Sequence, residues 1–188
     1  STEVGGGPGG FYTQEQFVEL VNYAQERNII IIPEIDMPGH TNAALASYAE
    51  LNKNDKATEL YTGTEVGFST LWAKKEITYQ FIDDVVREIS AISPGPWFHI
   101  GGDESHVTDS LDYIMLINRA QEIVTKYGKK VIGWDEIANA TPVAGATVQF
   151  WADEENTTMG VEKGAQVIMS TAKKDYLDMQ YDATTHLC

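Results

Sequence analysis

The 188-residue sequence has a single cysteine, Cys188, at its last position. No intrachain disulfide is possible, and cysteine usage leaves the redox compartment open. Positive charge is scarce: 13 Lys plus Arg stand against 28 Asp plus Glu, a formal net charge of −15. A surface of that sign repels phosphate backbones and anionic headgroups, which argues against nucleic acid and membrane surfaces as partners. Long apolar runs are missing too. Ile29 to Ile32, for one, has the length of a buried strand and falls far short of a membrane span. No secretory leader is visible at Ser1, so localisation has to be inferred from function.

What is present suffices for a folded domain. The chain is 43% hydrophobic and 10% aromatic, and its length suits one domain with a sizeable core. The glycine-rich lead-in, residues 1–12, contains Gly5-Gly6-Gly7-Pro8-Gly9-Gly10, which fits G-x-G-x-x-G on paper. That pattern cradles a dinucleotide only between a strand and a helix. Only Ser1 to Val4 precede it, so it reads as a loop.

Thr13 to Arg27 reads as a helix, with Phe17, Leu20, Val21 and Ala24 at helical spacing and Thr13 with Gln16 as a capping box. Ile29 to Ile32, ending at Pro33, suits a parallel strand covered on both faces. Lys75 to Ala91 is a second helix, its stripe formed by Ile77, Phe81, Val85 and Ile89. Leu111 to Tyr127 is a third, closed by Gly128. Further strands are expected at Trp97 to Ile100, Val131 to Trp134, Val148 to Trp151 and Val167 to Ser170, with a weak helical turn at Val161 to Gly164. Residues 41–74 read as a long loop over one face of the sheet, with a short helix at Ala43 to Tyr48. Alternation of this kind predicts an α/β fold with a parallel sheet.

The residues that could do chemistry stand just after the strands. The first strand leads into Glu34-Ile35-Asp36-Met37-Pro38-Gly39-His40, the second into Gly101-Gly102-Asp103-Glu104. The third ends in Trp134-Asp135-Glu136, the fourth in Trp151-Ala152-Asp153, and beyond the fifth come Tyr176-Leu177-Asp178. Carboxylates, one histidine and aromatics thus gather at the C-terminal ends of parallel strands, where α/β folds place active sites. Trp134, Trp151 and Tyr176 offer flat faces to a pyranose ring, and Asp178 an acceptor for its hydroxyls. Asp103 and Glu104 supply neighbouring carboxyl groups for acid/base work. The two glycines before them let the backbone lie close to a ligand. An Asp-Glu pair is ordinarily a solvated surface dipeptide; here its position after a Trp-Phe-His-Ile strand favours a site. His99, inside that strand, reads as a satisfied core histidine, Trp97 as core, and His106 and His186 as solvent-facing.

His99-Ile100-Gly101-Gly102-Asp103-Glu104 resembles the signature of the family 20 glycoside hydrolases, the β-N-acetylhexosaminidases, in their bacterial, streptomycete-like form. Pro33 to His40, Gly133 to Glu136, Gln149 to Trp151 and Tyr176 to Met179 agree with it in order. The resemblance implies a partial (β/α)8 TIM barrel of about five parallel strands, the third to the seventh, as a single partial catalytic domain over residues 1–188. It implies exo-acting, retaining hydrolysis in which the substrate's own 2-acetamido oxygen attacks the anomeric carbon. Glu104 is then the acid/base and Asp103 the acceptor that orients the acetamido N–H. Tyr176 bonds the acetamido oxygen, Trp134 and Trp151 wall its pocket, Asp178 binds ring hydroxyls, and His40 supports the acid. No cofactor and no metal are implied. Partners are N-acetylhexosamine-containing glycans or chitooligosaccharides, and the location is secreted or periplasmic. The arginine that in this family grips the terminal sugar has no counterpart here. An open arc of strands exposes edges and apolar surface, which predicts a homo-oligomer and weakened activity.

Two other functions compete. One is a non-catalytic half-barrel that binds N-acetylhexosamine without turnover. The other is a metal-dependent hydrolase built on Asp36, His40, Asp103 and Glu104, for which histidines at strand ends are too few.

Overall fold

A computed structural model describes residues 9–177 of the chain. Four parallel strands lie in sequence order: β1 (Trp97–His99), β2 (Lys130–Trp134), β3 (Thr147–Phe150) and β4 (Gln166–Met169). Neighbours in sequence are neighbours in the sheet, so each crossover carries the chain one strand further round. The helices are α1 (Gln14–Gln25), α2 (Asn42–Ser47), α3 (Glu76–Ile92), α4 (Ser110–Lys126), α5 (Glu154–Glu162) and α6 (Ala172–Asp175). Four of the five expected strands are therefore present.

The fifth is displaced. Ile29 to Ile32 forms no strand, and Ile29, Ile30 and Ile32 are exposed at 56%, 55% and 40%. The extended ladder begins only at Pro33: Pro33 accepts from the His99 N–H, and the N–H groups of Ile35 and Met37 donate to His99 and Ile100. The isoleucines lie instead against Pro94-Gly95-Pro96, where two residues have no N–H to donate. A run of β-branched residues cannot become a strand without a donor row beside it.

Local signals held well at helix ends. Thr13 caps α1 reciprocally with Gln16, as a capping box requires. Gly128, at φ +72, stands just past the end of α4. The helical face of α3 is rotated from the expected stripe. Tyr79, Ile82 and Val86 are its buried apolar residues, whereas Ile77 is 38% exposed. The helix carries two adjacent apolar stripes, and packing against α4 chose between them. A full helix α5 replaces the weak turn expected at Val161 to Gly164. It starts earlier because Asp153 accepts the N–H groups of Glu155 and Asn156.

Alternation along the strands sends Phe98, Val131 and Val148 into a core shared with Ile82, Val86, Leu116 and Val124 of the helices. His99, Trp134 and Gln149 are left for the opposite face, half-buried or buried. Trp97, read as core, is only partly buried and shares that face. Segment 41–74 leans on the strand ends, with the Leu71 N–H donating to Pro38 and the Thr108 hydroxyl to Thr70. No described helix is long and apolar enough to cross a membrane.

Candidate active site

The ladder at 33–37 and strand β1 run side by side, which brings their C-terminal extensions together. Two of the site's side chains arise from backbone conformations that L-residues seldom adopt: His40 at φ 54 and Glu104 at φ 46. The turns that carry them aim both at one point. His40 Nε2 lies 3.3 Å from Asp103 Oδ2 and 3.2 Å from Glu104 Oε2. A single imidazole thus bridges the two neighbouring acids. Asp103 Oδ1 is buried and meets no hydrogen-bond donor among the described residues. An acceptor in that state is costly unless a donor reaches it.

Asp36 stands behind this pair. Its Oδ1 accepts the Gly102 N–H at 3.1 Å. Burial, followed by the Asp103 charge and a hydrogen bond shared with Asp103, pushes its carboxyl from 3.8 to about 8. Glu34 is raised as well, mainly by burial, while the Trp134 indole donated to its Oε1 at 2.9 Å pulls the other way. The glycines of the motif serve packing here. At Gly101, φ +67, a Cβ would overlap the Asp36 carboxyl; at Gly102, φ +104, it would meet Ile137.

The aromatic residues form one wall. Trp134 and Trp151 meet edge to face with centroids 6.2 Å apart, and Trp151 stacks on Tyr176 at 6.5 Å and 21°. His99 touches the other side of Trp134, 5.1 Å between centroids. Its Nδ1 accepts the Gly101 N–H and the ring is buried on the face opposite the core, but its Nε2 has no partner among the described residues. Burial lowers its pKa to about 4, and the ring is neutral beside Glu34 at pH 7. The expectation of a fully satisfied histidine is thus half right. His106 faces solvent as expected.

Of the residues named from sequence, Asp103, Glu104 and His40 are in mutual contact, and Trp134, Trp151 and Tyr176 line up beside one another. Asp178 and His186 lie outside the described residues. Sequence reasoning did not name Glu34 and Glu136 as site residues. Asp36 was considered only as a metal ligand. All three sat in the strand-end segments that drew attention, which was the available signal. Glu136 accepts the Trp151 indole N–H at 3.1 Å, and burial raises its carboxyl to about 7. With Glu104, Ser105, His106 and Tyr113 it lines a cavity of about 360 Å³. One ligand atom each from Asp36, His40 and Asp103 falls within 4.8 Å of the others. A protonated Asp36 can lie this close to Asp103 without an intervening ion.

The profile of the glycosyl hydrolase family 20 catalytic domain matches residues 2–112 and 105–187. The chain belongs to glycosyl hydrolase family 20. Within that family it is 44% identical, over 99% of its length, to a β-N-acetylhexosaminidase of Cellulomonas fimi, and 35% identical over 90% to a β-hexosaminidase of Porphyromonas gingivalis. It covers 38% and 24% of those two proteins. The solved family 20 β-N-acetylhexosaminidase of Streptomyces coelicolor A3(2) superposes on all of this chain with a TM-score of 0.94 at 52% identity, this chain covering 39% of it. The Streptomyces plicatus enzyme, solved in complex with Thio-NAglucal, superposes with the same score at 51% identity. The four-stranded sheet is accordingly an arc of the family's (β/α)8 barrel.

Proposed function

We propose that this chain carries the acid/base and acetamido-binding part of an exo-β-N-acetylhexosaminidase acting on terminal β-linked GlcNAc or GalNAc. The observation that carries the reading is the imidazole of His40 bridging Asp103 and Glu104 at the mouth of an arc walled by Trp134, Trp151 and Tyr176. Glu104 gives its proton to the glycosidic oxygen as the bond to the anomeric carbon breaks. The acetamido carbonyl oxygen attacks that carbon, forming an oxazolinium ion and releasing the alcohol. Asp103 accepts the acetamido N–H, and its buried Oδ1 receives no N–H among the described residues. Glu104 then takes a proton from the water that opens the ring, and two inversions restore the original configuration. A nucleophile that belongs to the substrate gains from being held in the attacking pose. Asp178 completes the set as a hydroxyl acceptor. Glycans or chitooligosaccharides with N-acetylhexosamine ends are the substrates this chemistry fits.

The experiment is release of chromophore from an aryl GlcNAc β-glycoside. Glu104→Gln abolishes it on this reading, and equal rates for variant and parent refute the role of Glu104. A second reading is an N-acetylhexosamine-binding half-barrel without turnover. GlcNAc heat on titration with no chromophore release selects it. The large exposed residues Phe11, Tyr12, Ile29 and Ile30 support self-association, which a monomeric mass in light scattering at high concentration refutes.

A further inference from the structure

Asp135 and Glu136, next to each other after β2, hold Trp151 from two directions. Asp135 is fully buried. Its Oδ2 accepts the backbone N–H groups of Trp151, Ala152 and Asp153 at 3.0, 3.0 and 3.2 Å. Its Oδ1 accepts Asn156 Nδ2 at 3.2 Å. Three successive N–H groups converging on one carboxylate oxygen fix the path of that turn. The backbone alone leaves the indole free to swing about its side-chain torsions. The Glu136 carboxylate removes that freedom by accepting the ring N–H at 3.1 Å. Trp134 is anchored in the same way by Glu34, which reaches it across β1, so each indole of the wall ends on a carboxylate from another strand-end segment.

We infer that Glu136 is a positioning residue whose hold on the Trp151 indole sets the size of the N-acyl group that the pocket admits. The inference rests on the reading that Trp151 walls the acetamido pocket. A fixed indole holds the wall at one depth, and a packed wall is felt to within one methylene. Released from its acceptor, the ring keeps its stack on Tyr176 but loses its depth setting, and its N–H is left unpaired in a half-buried place.

The test compares the full chain with Glu136→Gln, which retains an acceptor oxygen, and Glu136→Leu, which matches the volume without one. Calorimetric titration with GlcNAc and with N-butyrylglucosamine gives a selectivity ratio for each. The indole ¹H–¹⁵N cross-peak of Trp151, assigned through Trp151→Phe, reports the hydrogen bond directly. The parent and Glu136→Gln are expected to share one ratio and one downfield cross-peak. Glu136→Leu is expected to shift the cross-peak upfield and narrow the ratio, with about tenfold as the ceiling that one lost hydrogen bond sets. An unchanged ratio in Glu136→Leu overturns the inference. So does an equal loss of affinity for both sugars, which marks a purely structural role. GlcNAc failing to bind the parent refutes the pocket reading itself, and this inference falls with it.

Discussion

Replacing Asp36 by asparagine offers the most direct probe of the acid cluster. The Asp36 carboxyl is moved from 3.8 to about 8, first by burial and then by Asp103. The folded chain therefore keeps a proton that the unfolded chain releases, across the whole interval between those values. The stabilisation is complete below about pH 4, declines as pH rises, and is gone above about pH 8, where the fold bears a buried charge against Asp103. At about 1.36 kcal/mol per pH unit the span sets a ceiling near 6 kcal/mol, and solvent reaching the group lowers it to about 2–4 kcal/mol. Asparagine imitates the protonated acid. Its oxygen can accept the Gly102 N–H and its amide can donate to Asp103. Urea unfolding at pH 5, 7 and 9 is the assay. Other raised carboxyls, Glu136 among them, also make the parent less stable toward pH 9. The informative quantity is thus the difference between variant and parent, expected to grow in favour of Asp36→Asn by about 2–4 kcal/mol from pH 5 to pH 9. A difference that stays constant across the three pH values refutes the claim that Asp36 holds a proton in the fold.

Removing the buried carboxylate by Asp135→Ala orphans three backbone N–H groups and one side-chain amide, and a loss of about 3–5 kcal/mol in urea unfolding is expected. Gly101→Ala places a Cβ on the Asp36 carboxyl at a positive φ, and should cost at least about 2 kcal/mol in the same assay. Thr13→Ala breaks the capping box of α1 for about 1 kcal/mol. Excess chelator should leave chromophore release unchanged, since acid/base chemistry with a substrate nucleophile needs no ion. Inhibition would turn Asp36, His40 and Asp103 into a metal site.

Much of the fold was legible because its signals are local. The capping box at Thr13, the glycine after α4 and the short apolar runs at β1 to β3 each state their own conformation within a few residues. Ile29 to Ile32 misled for a nonlocal reason. Its residues favour a strand, but the chain beside it is Pro94-Gly95-Pro96, and no reading of four isoleucines reveals a missing donor row. The α3 face misled similarly, because two apolar stripes were on offer and only the neighbour selects one.

The site divides along the same line. Sequence alone determined that carboxylates and aromatics end successive parallel strands, and the motif around Asp103 and Glu104 pointed to the family to which the chain belongs. The resemblance assigned roles to Asp103 and Glu104, but the surroundings that distinguish one carboxylate from another were left to the tertiary structure. Asp36, Asp103, Asp135 and Glu136 are chemically near-identical groups. One is pushed toward its neutral form by burial, one meets His40, one gathers three backbone N–H groups and one anchors an indole. Those roles depend on burial and on the donors within about 3 Å, and such donors come from residues distant in the chain that only folding brings to the same place.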